Sequence, residues 1–354
     1  MRVHKMCMTL QEMGFEVLLT GRKLPSSLPV DKRPYRHHRM KLIFTSGPLF
    51  YAFFNIRLFF FLLFRKAGVL VANDLDTLLA NYLVSRLRNI PLVYDSHEYF
   101  TEVPELQGRF ARKVWLAIEK RIFPHLKDVF TVNDSIAEAY NRKYGVRPLV
   151  VRNLPLKTPP VEPLPKSEAG IDDDKKIVIL QGSGINLDRG GEEAVLAMQY
   201  VENAVLMIVG GGDALPGLKR MVREKQLDDK VIFIPRQPHH LLFRYTAMAD
   251  AGLSLDKDTN LNYRFSLPNK IFDYIACGVP VLASDLPEVA KIVRDYDIGL
   301  VLGEYSVEAI AAAIGKMLSE DYKSLKNNNL QKAAKELTWE QNINTIHSVY
   351  SKFL

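Results

Sequence analysis

The segment LPNKIFDYIACGVPVLAS, residues 267–284, carries the residues best spaced for binding an anion. Pro268 suits the first position of a helix, so Lys270 falls in the first turn and Asp273 follows three residues later on the same face. A helix start and a lysine can bind phosphates, while a carboxylate one turn deeper can accept hydrogen bonds from ribose hydroxyls. The spacing indicates a nucleoside diphosphate. The alternative is an i,i+3 salt bridge on a solvated face.

A second candidate is the segment QGSGINLDRGGEEAVLAM, residues 181–198. Gly182 and Gly184 permit a tight turn, and Arg189 offers a planar fork of donors just before Gly190. The spacing is not the dinucleotide fingerprint, because Leu187 stands at the third glycine position, and no Lys-Ser/Thr pair completes a P-loop. The residues are consistent with phosphate binding or with simple turn formation. The glycines at 210–212 can bring the backbone close to a nucleotide base or simply make the turn.

The segment YDSHEYFTEVPEL, residues 94–106, places His97 and Glu98 just past a predicted strand. Ligands of parallel sheets bind at the carboxyl ends of the strands, so both side chains are candidate catalytic residues. A histidine there can donate to a substrate oxygen or exchange a proton near neutral pH. The competing interpretation is a structural hydrogen bond.

Short β-branched runs alternate with longer helical segments along the whole chain, which is typical of parallel sheets with crossover helices. The first six predicted strands are Glu16 to Thr20, Met40 to Phe44, Gly68 to Ala72, Pro91 to Tyr94, Val129 to Val132 and Leu149 to Arg152. The second six are Ile177 to Gln181, Val205 to Val209, Val231 to Ile234, Ala251 to Leu255, Pro280 to Ala283 and Gly299 to Leu302. The pattern predicts two α/β domains.

Proline and charge replace the apolar pattern after Pro155, which predicts a linker at 156–175 between domains at 1–155 and 176–337. TWEQ at 338–341 has the form of a capping box and predicts a final helix in 338–354, which can pack back toward the first domain. Residues 2 to 13 already have helical spacing, so the first domain is expected to lack its opening strand. A truncated or misassigned start is the favoured explanation, and an unusual topology is the alternative.

Charge is distributed unevenly along the chain. Residues 1–66 contain 12 Lys or Arg and 3 Asp or Glu, net +9, whereas the rest carries net −2. This region includes the run PLFYAFFNIRLFFFLLF at 48–64, whose 17 residues with a central Arg57 are too few for a membrane span. It is predicted either to pack as a helix on a sheet or to rest, with the basic flanks of 32–66, on an anionic membrane surface.

Length and composition exclude several classes of protein. At 354 residues, 47% apolar and 25% charged, the chain exceeds one small module and is not disordered. Cys7 and Cys277 lie far apart without a CxxC partner, so neither a disulfide framework nor a cysteine-rich zinc site is expected. Glu12 and Glu16 interrupt the first twenty residues, which therefore lack the apolar core of a secretory signal. We expect a cytoplasmic protein.

These motifs together resemble the retaining glycosyltransferases of the GT-B architecture, in the large group-four class that uses nucleotide-sugar donors. The matching pieces are RVHKM at 2–6, ANDLDTL at 72–78, YDSHE at 94–98, RGGEEAV at 189–195 and the segment at 267–284. The resemblance implies two Rossmann-like domains that face a cleft, with His97 near the transferred sugar. It also implies that Arg189 and Lys270 bind the donor diphosphate, that Asp273 binds the ribose, and that no metal or other cofactor takes part.

The resulting hypothesis is a glycosyltransferase at the inner face of the membrane that acts on an acceptor such as a lipid-linked one, as in surface polysaccharide synthesis. The candidate catalytic residues are His97 and Glu98, and the candidate donor-binding residues are Gly182, Gly184, Arg189, Gly190, Asn269, Lys270 and Asp273. A noncatalytic partner subunit is the rival, because Ser183 and Phe265 depart from the family pattern. A basic nucleic-acid binder is disfavoured, since residues 22–66 contain no recognised binding module.

Overall fold

A computed structural model describes residues 2–25, 27, 30, 32–157, 161–319 and 322–354. The chain divides into two units, one formed by residues 1–153 with 339–354 and the other by residues 154–338. All twelve predicted strands are present, with ends displaced by up to four residues. The α/β class with parallel sheets is therefore confirmed.

The first unit contains six strands and six α-helices among its described residues. Its strands are β1 (Leu18–Lys23), β2 (Arg36–Lys41), β3 (Leu70–Asn73), β4 (Leu92–Asp95), β5 (Asp128–Thr131) and β6 (Leu149–Val150). Its helices are α1 (Arg2–Glu12), α2 (Gly47–Leu63), α3 (Leu75–Arg88), α4 (Phe110–Ile122) and α5 (Asp134–Tyr144), with α14 (Ile343–Tyr350) from the carboxyl end of the chain. Strands β1 and β2 pair in parallel, and β3, β4, β5 and β6 form a second parallel sheet in that order. In the described chain, helix α1 precedes every strand.

The last residues of the chain belong to the first unit. Trp339 is buried beside Met6 and Val93, and its indole N–H donates to Thr9 Oγ1 at 2.9 Å. Asn342 bonds both the N–H and the carbonyl of Arg152. The segment begins with a 3₁₀ turn at Trp339–Asn342 and continues as α14, so the predicted single helix is divided in two.

The second unit holds a six-stranded parallel sheet in the order β12-β11-β10-β7-β8-β9. Its strands are β7 (Lys176–Gly182), β8 (Ala204–Gly210), β9 (Val231–Pro235), β10 (Ala251–Ser254), β11 (Val281–Ala283) and β12 (Gly299–Val301). Its helices are α6 (Gly191–Ala197), α7 (Leu215–Glu224), α8 (His239–Ala247), α9 (Leu261–Arg264), α10 (Lys270–Ala276), α11 (Pro287–Tyr296), α12 (Val307–Met317) and α13 (Tyr322–Glu336). This is the doubly wound strand order, whose direction reverses between β7 and β10.

Helices cover both faces of this sheet, so neighbouring residues along one strand pack into two different apolar clusters. Val178 and Leu180 of β7 belong to one apolar cluster, and Ile177 and Ile179 belong to the other. The sheet is thereby buried on both faces beside the reversal point between β7 and β10, where doubly wound sheets bind ligands.

The predicted linker at 156–175 is wrong for most of its length. Residues 158–160 lie outside the described residues, but 161–175 belong to the second unit. Leu164 and Ile171 are buried in its core, and Lys166–Ala169 form a 3₁₀ turn. Proline and charge in this segment mark an irregular chain that still buries its few apolar side chains.

Candidate active site

Lys270 is the first residue of α10, because the helix begins two residues later than the sequence predicts. Pro268 precedes the helix, and its carbonyl accepts from the Ile271 N–H at 3.2 Å. The Lys270 side chain is only 10% exposed, and burial lowers the pKa of its ammonium while the carboxylate of Asp256 opposes that shift. The ammonium Nζ lies 3.8 Å from Asp256 Oδ1, so the alternative of a solvated pair with Asp273 is wrong.

Arg189 reaches the same carboxylate from the loop that joins β7 to α6. Its Nη1 donates to Asp256 Oδ2 at 3.1 Å, and its guanidinium lies 4.2 Å from the ring centroid of Tyr263. Gly190 has φ +77°, and a Cβ there would lie 2.3 Å from the Cβ of Leu255. The loop can therefore approach the end of β10 closely only because residue 190 has no side chain.

Asp256 is the residue that the sequence analysis missed. It follows β10 by two positions, is 1% exposed, and has one cation on each carboxylate oxygen. Its Oδ1 has no hydrogen-bond partner among the described residues, since Lys270 is beyond hydrogen-bond distance. Its position at the carboxyl end of a parallel strand was the available signal.

Gly182 and Gly184, predicted to form a tight turn, have neighbours only at ordinary van der Waals distance from an added Cβ. An added Cβ at either would meet nothing closer than 3.6 Å. The close approach lies instead at Gly210, where a Cβ would be 1.9 Å from the carbonyl oxygen of Gly182. The carboxyl ends of β7 and β8 are thus packed backbone against backbone, and glycine is required at 210.

An arginine after β9, which sequence spacing did not reveal, also reaches the loop after β7. Arg236, just past β9, donates from Nη2 to the carbonyl of Ser183 at 2.7 Å. It adds an exposed guanidinium beside that loop. Because β9 lies beyond β8 in the sheet, only the folded loops bring this residue to Ser183.

Asp273 is half-buried and faces β7. Its Oδ2 accepts from Gln181 Nε2 at 3.0 Å, and Gln181 Oε1 in turn accepts from Thr246 Oγ1 at 2.6 Å. Asn269, also a predicted donor-binding residue, is exposed, and its carbonyl accepts from the N–H groups of Phe272 and Asp273 at the start of α10. Gln181 therefore fixes the orientation of one carboxylate oxygen of Asp273.

His97 lies in the first unit, at the carboxyl ends of β3 and β4, between two carboxylates. Its Nδ1 is 3.1 Å from Asp74 Oδ2, and its Nε2 is 3.2 Å from Asp95 Oδ2. Arg2, buried at the start of α1, donates from Nη2 to Asp95 Oδ1 at 2.6 Å and from Nη1 to the carbonyl of Val151. Positive and negative groups thus alternate from Arg2 through Asp95 and His97 to Asp74.

These contacts overturn the expectation that His97 exchanges a proton near neutral pH. Burial lowers its pKa, but Asp95 and Asp74 outweigh burial and raise the pKa to about 10. Burial favours protonation of Asp95, but Arg2 and His97 outweigh it and hold the pKa of this carboxyl well below its usual range. His97 is accordingly an imidazolium whose two ring N–H groups face protein carboxylates.

Two further acidic residues, Glu98 and Asp76, lie in the same part of the first unit as His97. Glu98, the second candidate catalytic residue, is half-buried, and its carbonyl accepts from Ser96 Oγ at 2.9 Å. Burial and the like charge of Asp74 raise the pKa of Asp76 to about 6. Asp76 therefore titrates closer to neutral pH than His97 does.

Helix α2 packs one face of the aromatic run against the first unit, as the first interpretation predicts, and the membrane contact stays a prediction. One face buries Phe50, Phe54 and Leu58 against Met40 and Ala80. The other leaves large apolar side chains in solvent, namely Leu49, Ile56, Phe60 and Phe64. Arg57 stays at the surface and donates to the carbonyl of Lys41 at 2.7 Å. In the described part of the chain, no helix is both long and apolar enough to span a bilayer.

A basic cavity of about 470 Å³ lies beside β1 and β2 in the first unit. Its cationic and histidine lining residues are His4, Arg22, Arg33, His37, His38 and Arg39. No acidic side chain lines this cavity among the described residues. Across the described residues as a whole, no cluster of three His, Cys, Asp or Glu side chains is arranged to hold a metal ion.

Two family models match almost the whole chain. Residues 165–337 match the model described as "Glycosyl transferases group 1", and residues 1–154 match the model described as "Glycosyltransferase Family 4". The segments that carry the resemblance lie within these two ranges.

Curated relatives match over shorter segments. The chain is 31% identical over 128 residues to the GDP-mannose-dependent alpha-(1-6)-phosphatidylinositol monomannoside mannosyltransferase of Mycolicibacterium smegmatis, covering 34% of this chain and 32% of that protein. It is 30% identical over 161 residues to the putative teichuronic acid biosynthesis glycosyltransferase TuaH of Bacillus subtilis, covering 42% and 40%. Each match thus spans less than half of the relative's length.

Solved structures match over nearly the full fold. The sucrose-phosphate synthase of Thermosynechococcus elongatus has a TM-score of 0.80 at 19% identity, with 99% of this chain and 92% of that chain covered. Anabaena HepE in complex with UDP-glucose has a TM-score of 0.69 at 16% identity, with 88% and 86% covered. At these identities the likeness concerns the fold, which is the one that the sequence predicts.

Proposed function

Because this chain belongs to the group 1 glycosyltransferases of the GT-B architecture, we propose that it transfers a sugar from a nucleotide-sugar donor to an acceptor. The observation that carries the proposal is the convergence of Arg189 and Lys270 on one anionic group at the reversal point of the second sheet. Because Arg189 and Lys270 lie close enough together to contact one carboxylate, they are also close enough to contact one diphosphate.

The proposed chemistry uses these cations to stabilise the leaving group. The bond between the anomeric carbon and the diphosphate oxygen breaks, and the acceptor oxygen forms the new bond to that carbon. The acceptor proton passes to the departing diphosphate, which leaves from the face where the acceptor attacks, so configuration is retained. Fixed positive charge beside the developing negative charge lowers the barrier without a metal ion.

Other residues of the second unit complete the proposed donor site. Asp273 is oriented by Gln181 and would accept from ribose hydroxyls through its carboxylate. The loop at Gly182 and Gly184, the Gly190 turn and Asn269 surround the same strand ends, and Arg236 adds a further cation there. Bound UDP in the HepE structures supports a nucleotide ligand for this fold.

We further propose that the acceptor is lipid-linked, as in surface polysaccharide assembly, and that the protein binds the membrane peripherally. The exposed face of α2 and the basic residues of 32–66 support this, because apolar and cationic groups together favour an anionic bilayer surface. The names of the two curated relatives include phosphatidylinositol monomannoside and teichuronic acid biosynthesis. In the first unit, His97 would contribute fixed positive charge rather than act as a base.

The test is a panel of nucleoside diphosphates and nucleotide-sugars in buffer that contains a metal chelator. We expect one nucleoside diphosphate to raise the melting temperature, and the matching nucleotide-sugar to be hydrolysed or transferred despite the chelator. Binding without turnover on any donor would favour a noncatalytic subunit. Absence of any nucleotide effect would contradict the proposed function itself.

A further inference from the structure

Asp256 forms a three-group cluster with the two cations of the proposed donor site. The carboxylate is nearly inaccessible, with 1% exposure, while Arg189 is 25% and Lys270 is 10% exposed. Arg189 donates a hydrogen bond to Asp256 Oδ2, whereas the ammonium of Lys270 lies 3.8 Å from Oδ1 and makes no hydrogen bond to it. One internal anion therefore already lies where the two cations would meet a phosphate.

The positions of the two cations do not depend on Asp256 alone. The Arg189 loop is held by the Gly190 turn against Leu255 and by the Lys257 N–H, which donates to the Asp188 carbonyl at 2.9 Å. The Arg189 guanidinium is also held over the Tyr263 ring. Lys270 is fixed by its place at the start of α10. A carboxylate that only oriented these groups would be expected to use both oxygens in hydrogen bonds, yet buried Oδ1 has no such partner in the described chain.

We propose that Asp256 is an internal competitor of the donor diphosphate: it holds Arg189 and Lys270 when no nucleotide is bound and weakens their grip on the nucleoside diphosphate product. This rests on the proposed function, because it takes the two cations as the diphosphate site. The incoming phosphate oxygens displace the carboxylate from the cations and remain close to it. Repulsion between like charges in a partly buried site then favours product release.

The test is Asp256→Asn, which keeps the shape of the side chain and removes its charge. Titration with UDP and GDP should show affinity about tenfold tighter than in the unaltered protein, with stronger product inhibition and a lower kcat where release limits turnover. Asp258→Asn is the matched control. Asp258 is half-exposed, lies two residues away and pairs with Arg264 at 3.6 Å, so its removal should leave affinity unchanged.

The outcomes separate this inference from the proposed function. Unchanged or weaker nucleotide affinity in folded Asp256→Asn would overturn the competitor role and make Asp256 an orienting residue. If Asp256→Asn does not fold, Asp256→Ser tests the same loss of charge with a smaller side chain. Equal nucleotide affinity in Arg189→Ala, Lys270→Ala and the unaltered protein would instead contradict the diphosphate site. The larger rise in melting temperature with nucleotide, expected only in the Asp256 variants, gives a readout independent of turnover.

Discussion

The carboxylate of Asp74 accepts a hydrogen bond from the backbone N–H of His97 at 2.8 Å, and its other oxygen lies 3.1 Å from the ring Nδ1 of the same residue. Asp74 reaches this position in a backbone conformation, φ 60° and ψ 167°, that residues with a side chain rarely adopt. Such a conformation costs about 1–3 kcal/mol and persists only where surrounding contacts fix it. The pair therefore holds the end of β3 against the loop after β4, and the imidazolium is part of that connection.

We predict that this pair makes stability depend on pH above neutrality. The folded-state pKa of His97 is raised to about 10, so its stabilisation is complete below about pH 6.5 and is lost as pH rises toward 10. Between pH 6.5 and 9 the unaltered protein should lose about 1–2 kcal/mol more stability than His97→Gln, measured by urea unfolding. His347→Gln, at an exposed histidine of the same unit, is the control. Parallel pH profiles for His97→Gln and the unaltered protein would refute the charged pair.

Lys270→Ala is predicted to impair nucleotide binding more than folding. Removal of a buried ammonium relieves its desolvation, and Asp256 keeps its bond to Arg189, so the melting temperature should change by only a few degrees. Affinity for the nucleoside diphosphate should fall about tenfold or more, measured by calorimetric titration. Lys291→Ala, at an exposed lysine of the same unit paired with Asp295, should change neither. Large losses of both affinity and stability in Lys270→Ala would indicate a structural lysine.

Gly190→Ala is predicted to destabilise the second unit by about 2 kcal/mol or more. The new Cβ would overlap Leu255 at 2.3 Å in a backbone conformation that alanine avoids. Gly217→Ala in α7 meets nothing within 4 Å and should stabilise by about 0.5–1 kcal/mol. Urea unfolding of the two variants gives the comparison. A Gly190→Ala protein as stable as the unaltered one would show that the loop does not need its close approach to β10.

Membrane association is predicted to depend on the outer face of α2. Ile56 and Phe60 are 54% and 53% exposed, so the double change to Ser should leave the buried face intact and reduce partitioning about tenfold. The measurement is cosedimentation with vesicles of phosphatidylcholine and phosphatidylglycerol. Leu325→Ser, at a 72% exposed position of the second unit, is the control. Equal sedimentation of all three proteins would remove the proposed membrane contact.

The local pattern of apolar residues was sufficient to predict the strands of the fold and the start of α10. The run of β-branched residues at 177–181 predicts β7 because burial on both faces selects continuous apolar strands, and the same signal found the other strands. The segment at 267–284 likewise placed Lys270 at a helix start within two residues. Helix α2 was predicted as too short to cross a membrane, and its bounds of Gly47–Leu63 agree.

Partners across the chain were decided only by the tertiary structure. Arg189 and Asp256 are 67 residues apart in sequence, and Arg2 and Asp95 are 93 apart. Spacing along one element tells which side chains share a face, whereas the first contact arises where β7 and β10 end at the same edge of a sheet and the second where the start of α1 meets the end of β4. The protonation of His97 follows the same rule, because its pKa is set by two carboxylates whose approach no single segment encodes.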